Sequence, residues 1–160
     1  MNSAARPAAL VRIVTGAIFI AEGLGKILGE FVHGGFAKSA SGMMKEAWPF
    51  WRGMLHDVIL PHASVFAWIV AAGELALGIA LLLGLWTRVA TACGSLLMIS
   101  ILLGQSYPGP GSSWDKWITE GLTTKFALLL LLLLCAADAG RVWGLDGRGR
   151  AVRRGGGIRR

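Results

Sequence analysis

The chain has 160 residues, 54% of them hydrophobic and only 16% charged, at a mean hydropathy of +0.60. Soluble domains carry about 25% charged residues, so the composition excludes an ordinary water-soluble globule; with no long hydrophilic segment, the length fits one compact membrane domain and no second one, and four spans of ~20 residues would use about half of it. The net charge of +7 does not indicate nucleic acid, because seven of the sixteen Lys and Arg residues lie from Arg141 onward, in a Gly/Arg tail with no aromatic residue after Trp143 and no recognition motif.

The first predicted helix runs from about Ala8 to Leu28, with Pro7 suited to its first turn. Arg12 is expected to snorkel to the headgroups. Glu22 and Lys26 stand at i, i+4, the favourable order for an intrahelical pair. They interrupt the apolar stretch where a cleavage region would follow, so residues 1–29 read as a retained helix rather than a signal peptide. Gly16 and Gly23, a heptad apart, mark a face for close helix contact.

Residues 30–62 form the longest connection, holding all three histidines (His33, His56, His62) together with Trp48 and Trp51. A structureless loop of this length is unusual in a small domain. One or two short interfacial helices are expected, with the tryptophans at headgroup depth.

The second helix, from about Ala63 to Trp86, is the longest apolar run, 24 residues with Glu74 as its only charged group. A charge at the bilayer centre costs roughly 2.5–3.5 kcal/mol on insertion scales, so Glu74 is expected to face a bundle interior or a partner charge. Ala72, Ala76, Ala80 and Gly84, at strict four-residue spacing, predict a stripe for a neighbouring backbone. Glu74 lies about 200° around the helix from Ala72 and points elsewhere.

A tight turn at residues 85–88 follows, where Thr87 and Arg88 read as an anchor at a helix end. The third helix spans about Val89 to Gln105 and is stopped by Pro-Gly-Pro-Gly at 108–111. The next loop carries Trp114 and Trp117, a second aromatic belt. The fourth helix covers about Glu120 to Ala139. Cys93 and Cys135 show no ligand spacing and read as small core residues.

The reading is an all-α, four-helix transmembrane bundle over residues 1–140, with interfacial helices in the long first outer loop and a basic tail at 141–160. With four spans, the N-terminus, the 85–88 turn and the tail share a side holding ten Lys and Arg residues, against four in the two opposite loops. The bias puts both termini in the cytoplasm of a plasma-membrane protein and sets the arginine tail against anionic headgroups.

Two stretches give the chain a family likeness. They are Arg12-Ile-Val-Thr-Gly16-Ala-Ile-Phe19-Ile-Ala-Glu-Gly23-Leu-Gly-Lys26, and Gly73-Glu74-Leu75-Ala-Leu-Gly78-Ile-Ala-Leu81-Leu-Leu-Gly84-Leu-Trp-Thr87-Arg88. In these, and in its four-helix layout, the chain resembles the DoxX family of small integral membrane proteins. That resemblance implies a subunit of a redox or respiratory membrane complex, not catalytic by itself. It also leaves two alternatives: a quinone-interacting oxidoreductase subunit of the thiosulfate:quinone kind, and a chaperone or cargo-binding protein for other membrane proteins.

The residues add a candidate site. Glu22, Lys26 and Glu74 could meet between antiparallel first and second helices, leaving one uncompensated carboxylate able to relay a proton to a quinone. The favoured reading is that the same cluster locks the bundle, since intramembrane polar groups commonly act as interhelical glue. Trp48, Trp51, Trp114 and Trp117 are the candidates for stacking on a quinone ring or packing against lipid. The histidine spacings match no metal or haem motif, and no phosphate loop or dinucleotide fingerprint is present. No intrinsic cofactor is expected. The expected partners are other membrane proteins and lipids, with a homo-oligomer left open.

Overall fold

The structure, a computed structural model, describes residues 5–107, 109, 114–119, 122–137 and 143–146. It contains α1 (Ala5–Leu28), a 3-10 turn (Phe31–His33), α2 (Gly35–Met43), α3 (Pro49–Met54), a π-helical turn (Leu55–Ile59), α4 (Ala63–Leu83), α5 (Thr87–Gln105), α6 (Trp114–Thr119) and α7 (Leu122–Ala136). No strand occurs among the described residues. Among the described residues, three helical stretches are long and apolar enough to cross a membrane: Arg6–His33, Ala63–Leu83 and Thr87–Gln105. A shorter apolar helix, Leu122–Cys135, accompanies them. The outer residues of the expected fourth span (120, 121, 138 and 139), most of the Pro-Gly stretch and most of the tail lie outside the described residues.

The bundle is built from an α1–α4 pair and an α5–α7 pair, joined along α4 and α5. Glycine sets the first pair. A Cβ added to Gly16 would lie 2.7 Å from the Leu82 nitrogen, one on Gly78 2.6 Å from the Ile20 nitrogen, and one on Gly23 2.7 Å from the Leu75 nitrogen. Two helices in lipid gain no hydrophobic driving force from association, and backbone-to-backbone contact supplies packing instead. Between the pairs, Phe19, Leu77, Leu81, Met98 and Leu131 form the buried core. Gly94 admits Leu77 and Leu131 against the α5 backbone. The hydroxyls of Thr91 and Ser95 are buried harmlessly, each donating to the carbonyl four residues earlier at 2.8 Å.

The alanine stripe of α4 does not make this contact. Ala72 and Ala76 are exposed and Ala80 is half-buried, while the enclosed face carries Ala67, Ala71, Glu74, Leu77, Gly78 and Leu81. Gly78 lies one turn after Glu74, so the face that admits the closest backbone also shelters the carboxylate. Gly84, the end of the predicted stripe, leaves the helix altogether. It adopts φ 63° and terminates α4 at Leu83, the left-handed cap that glycine accepts without steric cost. Cys93 is exposed and Cys135 half-buried, so Cys93 does not fill the core.

The first loop is folded onto the bundle. The Trp48 N–H donates to the Leu103 carbonyl at 2.9 Å, and the Tyr107 N–H donates to the Glu46 carbonyl at 2.9 Å. Met43 packs against Gly104, and Arg52 lies over the Tyr107 ring at 5.6 Å. Two short helices with their turns thus cover the end of the bundle where α5 terminates.

The glycine contact generates a matched test. Gly78→Ala or Gly16→Ala should lower thermal stability in detergent by about 1–3 kcal/mol, the range for over-packing. Gly73→Ala and Gly25→Ala, whose added carbon meets nothing within 4 Å, should leave it unchanged or slightly raised. Equal melting of all four variants would show that α1 and α4 are not in backbone contact.

Candidate functional site

Antiparallel packing brings the α1 and α4 charges together midway along α4. Gly23 rests on Leu75, so the next turn of α1 delivers Lys26 to the neighbouring residue. The Lys26 ammonium donates to Glu74 Oε2 at 2.6 Å and to Glu22 Oε2 at 3.3 Å. Glu74 is buried at 3% exposure. The Lys26 side chain is 22% exposed and that of Glu22 is 65% exposed. One ammonium therefore serves an enclosed carboxylate closely and an outward-facing one loosely. A short charge-assisted bond of this kind is among the strong hydrogen bonds.

Lys26 Nζ also sits 5.7 Å from the centre of the Phe31 ring. Phe31 and Phe36 meet edge to face at 5.4 Å. Together with Val32, His33, Ser64 and Ala67 they line an open cleft of about 320 Å³, which meets the ion pair only through the Phe31 ring. Its walls are mostly apolar, and the cleft could take a ring or a chain.

The other predicted site residues are dispersed. Trp48 is half-buried and holds the folded loop to α5, its indole N–H reaching Ser106 Oγ at 3.4 Å and its ring packing on Tyr107. Trp51 packs on Phe50. The side chains of Trp114 and Trp117 lie outside the described residues. The histidines go separate ways: His33 edges the cleft, His56 pairs with Asp57 at 2.7 Å, and His62 bonds the Val58 carbonyl at 3.0 Å. Among the described residues no three His, Cys, Asp or Glu side chains gather as a metal site.

At the opposite end of the bundle lies a second polar knot. Arg12 does not snorkel: it is fully buried, donating to the Leu81 carbonyl at 2.7 Å and to the Trp143 carbonyl at 3.0 Å. The carbonyls at the end of α4 and the incoming 143–146 segment surround the guanidinium and take the place of headgroups. Asp146 completes the knot. Its carboxylate accepts the Trp86 and Thr87 N–H groups at 2.8 Å each, and its own N–H donates to the Gly84 carbonyl at 2.9 Å.

Asp146 is thus the side-chain cap that the first turn of α5 lacks locally. Trp86 and Trp143 stand in left-handed backbone, at φ 47° and 52°, a conformation costly for bulky residues unless the surroundings impose it. Thr87 is buried and Arg88 exposed. The turn is therefore anchored by Arg12 and Asp146 at least as much as by the predicted Thr87 and Arg88. Two signals could have exposed this. Arg12 is a charge inside an apolar helix, as Glu74 is, and Asp146 is the lone acid after Arg141.

The sequence model of the DoxX family matches residues 8–104. The chain belongs to the DoxX family. The match takes in the folded loop, α4 and nearly all of α1 and α5, and therefore the whole Glu22–Lys26–Glu74 cluster. The DoxX match and the apolar helices make this a membrane protein. No curated protein and no solved structure matches the chain.

The Asp146 cap carries a pH signature. Burial alone would raise this carboxyl, but the Thr87 and Trp86 amides and the Arg12 charge outweigh it and hold it below the ordinary aspartate range. A depressed folded value means the stabilisation is complete above the unfolded value of about 3.9 and is lost as pH falls through the lower folded one. Asp146→Ala should cost about 1 kcal/mol, as for a lost helix cap. Melting in detergent from pH 7 to pH 3 should fall more steeply for the parent chain than for the variant. Parallel curves would remove Asp146 from the knot.

Proposed function

We propose that this DoxX protein is a membrane subunit of a larger assembly, redox or respiratory in kind, without catalytic activity of its own. The observation that carries the reading is Glu22. Its carboxylate is 65% exposed on the outer side of α1, at the level of the middle of α4 and among the exposed apolar side chains of Ile18 and Leu24. Facing lipid there would cost roughly 2.5–3.5 kcal/mol on insertion scales. A protein neighbour over that face removes the cost. The Lys26–Glu74 pair then serves as interhelical glue, and the family resemblance supplies the redox setting.

A second reading, a quinone-interacting oxidoreductase subunit, draws on the cleft lined by Phe31, the ring that Lys26 also approaches. In it Glu74 takes up and releases the proton that accompanies quinone reduction, and a partner supplies the electrons. Purification in mild detergent separates these readings. Stoichiometric recovery of a cofactor-bearing complex supports assembly, whereas varied, sub-stoichiometric clients support a chaperone. In matched membranes Glu74→Gln should assemble and keep quinone-dependent turnover if the residue is structural, and should assemble yet lose turnover if it relays protons. Glu74→Ala should impair assembly in either case, because it leaves the Lys26 ammonium without its nearest acceptor, at about 1–3 kcal/mol.

The proposed setting is the plasma membrane, with both termini cytoplasmic, supported by the ten-to-four distribution of Lys and Arg. In a background with Cys93 and Cys135 replaced, an impermeant thiol reagent applied to intact cells should label a cysteine at position 38 strongly and one at position 150 not at all. The reverse pattern ends this topology.

A further inference from the structure

We infer that the Glu22 face of α1 is the seat of a transmembrane helix from a different protein, and that this helix presents a cationic side chain to Glu22. The inference rests on the assembly reading above and names the chemistry of the partner.

The face is defined by what α1 leaves uncovered. Ala9, Arg12, Thr15, Gly16, Phe19 and Gly23 are buried in the bundle. On the other side Leu10, Val14 and Ile18 are exposed, and Glu22 and Gly25 continue the same surface. Apolar residues there suit lipid, but Glu22 does not. Its Oε2 receives Lys26 at 3.3 Å, a long bond, while the same ammonium sits at 2.6 Å from Glu74. Glu22 Oε1 has no partner among the described residues.

Charge counting then selects the occupant. The cluster holds two carboxylates and one ammonium, so a complementary neighbour brings a positive group. A guanidinium fits best, since its paired N–H donors can engage both oxygens of one carboxylate. A second copy meeting this face through its own α1 is the wrong occupant. Copies inserted in the same orientation run parallel, so α1 against α1 would set Glu22 opposite Glu22, with four carboxylates around two ammonium groups. Access is open as well: a carbon added at Gly25 meets nothing within 4 Å, so a neighbouring backbone can approach closely enough for a side chain to reach Glu22.

The test uses the full chain in its native membrane, with a photo-crosslinking residue at position 21 or 25. Both positions should link to one partner protein, at a segment containing Lys, Arg or His. Glu22→Gln should reduce recovery of that partner roughly tenfold or more, the weight of a charge-assisted bond. It should leave melting of the isolated chain unchanged, because Glu22 is exposed. Glu22→Lys should abolish recovery, and changing the crosslinked basic residue of the partner to Glu should restore it. Linkage to a second copy, linkage to a segment without a basic residue, or undiminished recovery with Glu22→Gln would each overturn the inference while leaving the assembly reading standing. A parent chain that purifies with no stoichiometric partner would overturn both.

Discussion

The enclosure of Glu74 is the constraint around which the bundle is arranged. A carboxylate inside an apolar helix is tolerated when a cation reaches it with good geometry and the surroundings exclude lipid. Lys26 supplies the cation at 2.6 Å. It can do so because α1 and α4 approach at Gly16, Gly23 and Gly78, where a single added carbon would strike the opposing backbone. Larger residues at those positions would widen the gap between the helices, and the ion pair would lengthen with it. Close packing and charge pairing are therefore one device. Glycine sets the separation, and that separation lets a lysine near the end of one span meet a glutamate near the middle of the next.

The far end of the bundle solves a related problem by different means. The last carbonyls of α4 and the first amides of α5 lie within a few residues of each other, so one short turn must satisfy both kinds of orphan group. Arg12 answers the carbonyls and Asp146 answers the amides, each with the sign that the adjoining helix end favours. Since Arg12 comes from α1 and Asp146 from the segment after α7, these two side chains tie both helix pairs together at that end. Trp86 and Trp143 take left-handed backbone to make the geometry close. At the other end the Trp48–Leu103 and Tyr107–Glu46 backbone bonds hold the folded loop in place. Between these two closures the bundle encloses Glu74 and turns Glu22 outward. That division supports reading the first as internal cement and the second as a point of attachment.

Much of this was legible from the chain alone. Apolar runs of spanning length gave an all-α membrane protein, because in lipid each backbone polar group must be satisfied within its own helix. The lone charge at Glu74 implied a buried partner, and the i, i+4 spacing of Glu22 and Lys26 gave its neighbourhood. The heptad of Gly16 and Gly23 marked the contact face of α1, because glycine lets backbones approach most closely. What the sequence determined were properties of single helices, namely length, polarity and periodicity.

What the tertiary structure decided were choices between faces and between partners distant in the chain. Four-residue spacing in α4 fits both the Ala72–Ala76–Ala80 row and the Glu74–Gly78 row, and a helix cannot bury both against one neighbour. The second row won because glycine admits a closer backbone and the carboxylate needs shelter. Arg12, two turns into an apolar helix, could by its sequence reach headgroups or protein carbonyls; it bonds the Leu81 and Trp143 carbonyls, which no local pattern encodes. Asp146 is about sixty residues from the amides it caps, and a hydrogen bond depends on position in space, not on separation along the chain.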